Sequence, residues 1–275
     1  VTRRRLGGAA WTAVAAAIVG VYLFPLYWMY VTGLKGNAEI YRSPPSFWPI
    51  HPRWSVPAVI RNHGLPHYLF NSLLIASIST VLAVGFGTGA AYVLARRRGA
   101  LIDAALFAIL MVQALPASLL ATPMFVAFDQ TGLLHLPRLA VALAQTGRVM
   151  PFYVVLCRAG FLAVPRELEQ AAFVDGASRW QALLLVVIPL ARNIILVAAI
   201  LIFLQSLGEY VYSRSLISSD ALQTATVGLR AFLGSDTSDW SGVMTYASVY
   251  VTPILIVFVL LQRRIISGLT AGALK

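Results

Sequence analysis

An all-α membrane protein with six transmembrane helices is the fold this sequence predicts, and three observations predict it. Of 275 residues, 59% are hydrophobic and only 11% are charged, whereas a soluble domain carries about 25% charged residues. The mean hydropathy is +0.78. The apolar residues gather into runs of the roughly 20 residues that a bilayer-crossing helix needs. Short basic clusters sit at the ends of those runs. A chain this apolar cannot hide its surface from water, so lipid must be its main solvent. One transmembrane domain is expected to take up residues 1–275.

The runs lie at 9–31, 70–94, 101–128, 139–161, 194–212 and 243–261. The first follows Arg3, Arg4 and Arg5 and exceeds the roughly 7–15 apolar residues of a signal peptide, so a true span is expected. Pro116 and Pro123 interrupt the third and predict a kink, which neighbouring helices make tolerable. Gln145, Arg148 and Pro151 dilute the fourth.

Six crossings place both termini on one side. Thirteen basic residues, among them Arg3, Arg96, Arg166, Arg264 and Lys275, lie on that side, against seven opposite. The positive-inside rule makes the richer side cytoplasmic. Trp28, Tyr30, Tyr210, Tyr212 and Trp240 then fall near the outer boundary, where amphipathic rings are enriched. The net charge of +11 is thus explained by topology, and no nucleic-acid partner is expected.

The single Cys157 excludes an internal disulfide and a cysteine zinc site. His63 and His67 have the spacing of a helical metal pair, but Gly64 and Pro66 between them argue against a helix there. Surface histidines are expected, with no metal site and no catalytic site. The outer loop 32–67 carries Pro44, Pro45, Pro49, Pro52 and Pro57 and reads as an extended, stiff cover.

The longest inner loop, 163–191, carries the most information. Pro165 suits a first helical position, and Glu167 and Glu169 place negative charge in the first turn. Gly176 can take the left-handed conformation that stops a helix. Ser178 and Gln181 match a capping box opening a second helix, which is expected to break at Pro189. The first helix presents Ala171 and Ala172, with Leu168 and Phe173 as anchors. It can dock into another protein's groove, or simply link two spans along the lipid surface. The residues alone leave both open.

The run Glu169-Gln170-Ala171-Ala172-Phe173-Val174-Asp175-Gly176-Ala177, followed by Ile188-Pro189, resembles the EAA loop of binding-protein-dependent ABC importer permeases. Gly176 lies six residues after Gln170, and Pro189 thirteen after Gly176, as in that family. Gln170 stands where the family has Glu. The tail Gly268, Leu269, Thr270, Ala271, Gly272, Ala273, Leu274 and Lys275 is similar to the one by which a maltose-type sugar permease touches its ATPase. The outer segment Leu34-Lys35 through Tyr41, Pro44-Pro45 and Ser46 is similar to theirs too, as is Phe70-Asn71-Ser72-Leu73.

The resemblance implies the transmembrane domain of a type I ABC importer in the bacterial cytoplasmic membrane. A core domain would cover about 70–262, the loop 163–191 would couple to the ATPase, and 263–275 would be a cytoplasmic tail. Coupling would fall to Glu169, Gln170, Ala171, Ala172, Phe173, Asp175, Gly176 and Ala177. The partners implied are a second homologous permease, a pair of ATPase subunits that bind ATP and Mg, and an extracytoplasmic substrate-binding protein. This chain has no G-x-x-x-x-G-K-[ST] loop, so its own role is not enzymatic.

Polar residues inside spans are functional candidates, because a buried charge costs about 2.5–3.5 kcal/mol even on insertion scales. Gln113, Gln145, Gln205 and Glu209 could line a polar pathway that hydrogen-bonds sugar hydroxyls. A plainer reading is preferred for Glu209: it pairs with a basic group or caps a break in its helix. The same holds for Arg148. A polyamine, glycerol phosphate or peptide permease is the alternative within the family, and an ATP-independent channel or secondary transporter the alternative outside it. No motif of an intramembrane enzyme is present.

Overall fold

A computed structural model of the chain describes residues 2–62, 64–97, 99–235 and 239–270, and regular structure among them is helical throughout. Among the described residues, five helices are long and apolar enough to cross a membrane: Trp11–Gly33, Leu65–Arg96, Pro137–Leu162, Arg179–Leu207 and Trp240–Leu260. A sixth crossing, if present, is a broken one. Ala100–Ala114 and Ala117–Gln130 meet at a bend of 95°. The expected kink at Pro116 is therefore a full break. Leu115, just before the proline, has φ −70° and ψ 128°, the extended conformation that a following proline imposes.

In chain order the helices are α1 (Thr2–Gly33), α2 (Asn37–Ile40), α3 (Val56–Asn62), α4 (Leu65–Arg96), α5 (Ala100–Ala114), α6 (Ala117–Gln130) and α7 (Pro137–Leu162). Then come α8 (Arg166–Val174), α9 (Arg179–Ala182), α10 (Ile188–Leu207), α11 (Val211–Leu216), α12 (Ala225–Ser235) and α13 (Trp240–Thr270). The chain divides into two compact units, one built from 1–65 with 228–253 and the other from 66–227 with 254–275.

In the first unit, α1 meets the start of α13 at Gly33, where an added Cβ would lie 3.1 Å from the Thr245 backbone. Thr245 Oγ1 donates to Gly33 O at 2.8 Å. The loop after α1 is more ordered than its prolines predict. Glu39 accepts hydrogen bonds from Ser46 Oγ and the Ile50 N–H, both at 2.8 Å. Lys35 is buried; its ammonium donates to Ser46 O and sits 4.6 Å from the centre of the Trp28 ring. A hydrogen-bonded fold organised by two opposite charges thus replaces the expected stiff cover.

The second unit packs α4, α7 and α10 around Tyr153, Cys157, Phe161, Val187, Ala198 and Ile202. Cys157 is buried, as expected. With no hydrophobic driving force between helices in lipid, close approach relies on small residues. Gly160 of α7 faces Ile194 of α10 so tightly that a Cβ would lie 2.2 Å from Ile194 Cγ2. Gly87 of α4 is pressed in the same way onto the Tyr153 ring.

The expected break at Pro189 is absent. α9 runs into α10 through a π-helical turn at Leu183–Val187, and Pro189 follows it inside the first turn of α10. The wider turn lies just ahead of the proline, whose ring and missing N–H disturb the ladder of a regular α-helix. The fifth span consequently begins near Arg179 rather than at 194, and it ends at Leu207 rather than at 212.

Candidate functional site

Two sites in the second unit gather the residues singled out in the sequence. The first is the helix α8. Pro165 is its N-cap rather than its first residue, with φ −58° and ψ 135°. The helix ends at Gly176, which has φ +88°. Gly176 N donates to Phe173 O at 3.1 Å and Ala177 N to Ala172 O at 2.9 Å, the paired bonds of a Schellman motif. Ser178 and Gln181 form the expected capping box, in which the Ser178 N–H donates to Gln181 Oε1 at 2.7 Å.

Two side chains tie α8 to α4: Arg166, whose Nη2 donates to Arg96 O at 3.0 Å, and Glu169. Glu169 is 5% exposed, and the other faces of the helix are open. Tyr92 Oη donates to Glu169 Oε2 at 2.7 Å, and Arg96 forms an ion pair with the same carboxylate. Arg96 also donates to Phe161 O at 2.8 Å and Val164 O at 3.3 Å. A single guanidinium on α4 thereby ties together the end of α7 and the underside of α8. Leu168 and Phe173, expected as anchors, are 44% and 40% exposed.

Gln170, Ala171, Phe173, Asp175 and Gly176 lie exposed on this segment, with Ala172 and Ala177 half-buried. A groove of about 480 Å³ beside α8 is lined by Tyr92, Arg97, Gln170, Phe173 and Trp180, among others. Sequence reasoning missed Tyr92 and Arg96 as site residues. Arg96 was legible only as part of a basic cluster, and nothing in the local pattern marks Tyr92, one turn earlier.

The second site is a cavity of about 500 Å³, lined in part by Gln113 of α5, Gln145 and Arg148 of α7, Gln205 of α10, and Glu209 and Tyr210 between α10 and α11. All four expected pathway residues thus share one cavity. Gln145 is buried at 1% exposure. Its Oε1 accepts from Ser206 Oγ and, at 3.3 Å, from Ser79 Oγ. Its Nε2 donates to Glu209 Oε2 at 3.4 Å.

Glu209 is itself 9% exposed and accepts from the Tyr212 N–H at 2.9 Å and the Ser213 N–H at 3.2 Å. Its carboxylate caps the first turn of α11, where free N–H groups favour negative charge. This matches the capping alternative for Glu209. Arg148 is exposed and lines the cavity. Among the described residues it takes part in no ion pair.

Of the expected tail contact, Gly268, Leu269 and Thr270 form the end of α13. Gly272 and Lys275 lie outside the described residues, as does His63. His67 falls in the first turn of α4, preceded by Gly64 at φ +60°.

Comparison with known proteins accounts for this architecture. Residues 83–270 match the family described as "Binding-protein-dependent transport system inner membrane component". The sulfoquinovosyl glycerol transport system permease protein SmoH of Agrobacterium fabrum is 33% identical, over 95% of this chain and 92% of its own. The trehalose transport system permease protein SugB of Mycobacterium tuberculosis is likewise 33% identical, over 96% of this chain and 97% of its own. A crystal structure of a bacterial ABC transporter involved in the import of the acidic polysaccharide alginate contains a chain of the same fold. Its TM-score is 0.74 at 18% identity, covering 94% of this chain and 96% of that one. With the family match spanning most of the sequence, the chain belongs to the binding-protein-dependent transport system inner membrane components, the multi-pass permeases of ABC importers.

Proposed function

We propose that this chain forms half of the translocation pathway for a carbohydrate, in an importer powered by a separate ATPase pair. One observation carries the reading: the cavity that collects Gln113, Gln145, Gln205 and Glu209 from separate helices. Amides suit a polyhydroxylated solute, because each offers both a donor and an acceptor. The relatives named for trehalose and for sulfoquinovosyl glycerol support the same solute class.

In this reading the exposed face of α8, from Gln170 to Ala177, docks on an ATPase subunit, and the end of α13 with Gly268, Leu269, Thr270, Gly272 and Lys275 makes a further contact. ATP and Mg belong to that ATPase. Closure of the ATPase pair pushes on α8, and the Arg96–Glu169 pair passes the push to α4 and α7. A second, homologous permease completes the pathway, and an extracytoplasmic binding protein delivers the solute. With α5 and α6 together forming the sixth crossing, both termini face one side, and the excess of basic residues supports the cytoplasm as that side.

Affinity purification of the tagged chain from its native membrane, with mass spectrometry, tests this. Recovery of an ATPase, a second permease and a binding protein that takes up a sugar is the expected result. Recovery of the chain alone, moving solute in liposomes without ATP, would overturn it.

A further inference from the structure

The cavity between α5, α7 and α10 contains a charge with no ion-pair partner among the described residues. Arg148 stands eleven residues after Pro137 and fourteen before Leu162 in α7, about 16 Å and 21 Å from the helix ends at about 1.5 Å per residue. An arginine near the end of a span escapes the bilayer by extending its stem to the interface. Arg148 is too far along its helix for that and lines a polar cavity instead. A guanidinium at such depth is expensive and calls for a counter-charge.

Among the described residues lining the cavity, the one carboxylate is Glu209. It is already committed: Oε1 accepts from the Tyr212 N–H, and Oε2 from the Ser213 N–H and Gln145 Nε2. The first turn of α11 supplies the positive potential that Glu209 needs. Arg148 shares the lining of the cavity with the amides of Gln113 and Gln205 and the phenol of Tyr210.

We propose that Arg148 is a solute-binding residue and that the cavity takes a polyhydroxylated solute bearing one anionic group, a carboxylate or a sulfonate. The planar guanidinium pairs with such a group through two parallel hydrogen bonds. The surrounding amides take the hydroxyls, and the Tyr210 ring offers an apolar face to the sugar ring. At about 500 Å³ the cavity lies within the range of small-molecule sites, which is about 300–1,000 Å³. The inference rests on the carbohydrate reading above and adds a charge to it.

The test uses the importer complex, with its partner permease and ATPase, in lipid nanodiscs. Binding of methyl glucuronide and methyl glucoside, two glycosides differing at a single carboxylate, is compared by saturation-transfer NMR, with glutarate and glutaramide as a non-sugar pair. The glucuronide is expected to bind about tenfold more tightly than the glucoside, as a charge-assisted pair implies. Arg148→Gln should erase that preference, and Arg148→Lys, which keeps the charge and loses the fork, should retain part of it.

Equal binding of both glycosides by the wild-type complex, or binding of no probe, overturns the proposal. So does a failure of Arg148→Gln to assemble with the second permease while Arg148→Lys assembles, because the arginine would then be answered by a carboxylate of that partner. Binding of glutarate over glutaramide with neither glycoside bound, lost in Arg148→Gln, would keep the anion site and remove the carbohydrate.

Discussion

Glu169 and Glu209 are comparably buried, at 5% and 9% exposure, yet the fold neutralises them by different means. Glu169 has a side-chain cation, Arg96, and a phenol, Tyr92. Glu209 has two backbone N–H groups and an amide. The first solution joins separate segments of chain, so it can carry force between them. The second is local: it caps one short helix and leaves the cavity's arginine without an ion pair among the described residues. Equal burial therefore says little about a charged residue's role in a membrane bundle; what answers the charge says more.

The largest effect should come from the Arg96–Glu169 pair. Glu169→Ala or Arg96→Ala strands a buried charge, a loss of about 3–5 kcal/mol. A lower unfolding temperature of the purified complex and loss of ATP hydrolysis stimulated by the binding protein would report it. Replacing both residues with Met should return most of the stability without the coupling. Next comes Gly176→Asp, which forces a side chain into a left-handed conformation at about 1–2 kcal/mol. Co-purification of the ATPase should fall, and Gly176→Asn should fall less.

Glu209→Ala should cost less than Glu169→Ala, about 0.5–2 kcal/mol for a lost cap, and Glu209→Gln, which keeps an acceptor oxygen, less again. Thermal unfolding would compare them. If Glu209→Ala proved as damaging as Glu169→Ala, the contrast would collapse, and Glu209 would be serving as the counter-ion of Arg148.

The smallest effect concerns Glu39, which lies outside the spans. The Ile50 N–H, ahead of Ser46, holds its carboxyl below the usual carboxylate range. A lowered pKa means that the loop gains stability above the ordinary carboxylate value and loses it as pH falls through the lowered one. Protease protection of residues 34–53 should decline over that acid window, and Glu39→Gln should flatten the decline.

Much of this architecture is legible in the sequence because lipid imposes a simple rule: long apolar runs must be helices. The stop at Gly176 and the capping box at Ser178 are equally legible, since each depends on residues a few positions apart. The continuity of the helix past Pro189 is not, because a π turn has no signature in residue pattern. Nor is the inward face of α8. Leu168 and Phe173 look like anchors by hydropathy, but the tether is an ion pair to an arginine 73 positions away in sequence. The four pathway residues could be named one by one, yet their convergence on one cavity needed three dimensions. Arg148 reads as a structural residue until its lack of an ionic partner among the described residues is seen.

The contact between Gly160 and Ile194 constrains how this sequence can drift. Any side chain at position 160 meets a β-branched residue that has little rotamer freedom in a helix. A larger residue there becomes admissible only after position 194 has shrunk. The two sites are therefore epistatic, and the order of change is fixed. A saturation library at position 160 should return glycine alone in the native background, and alanine beside it once Ile194→Ala is present.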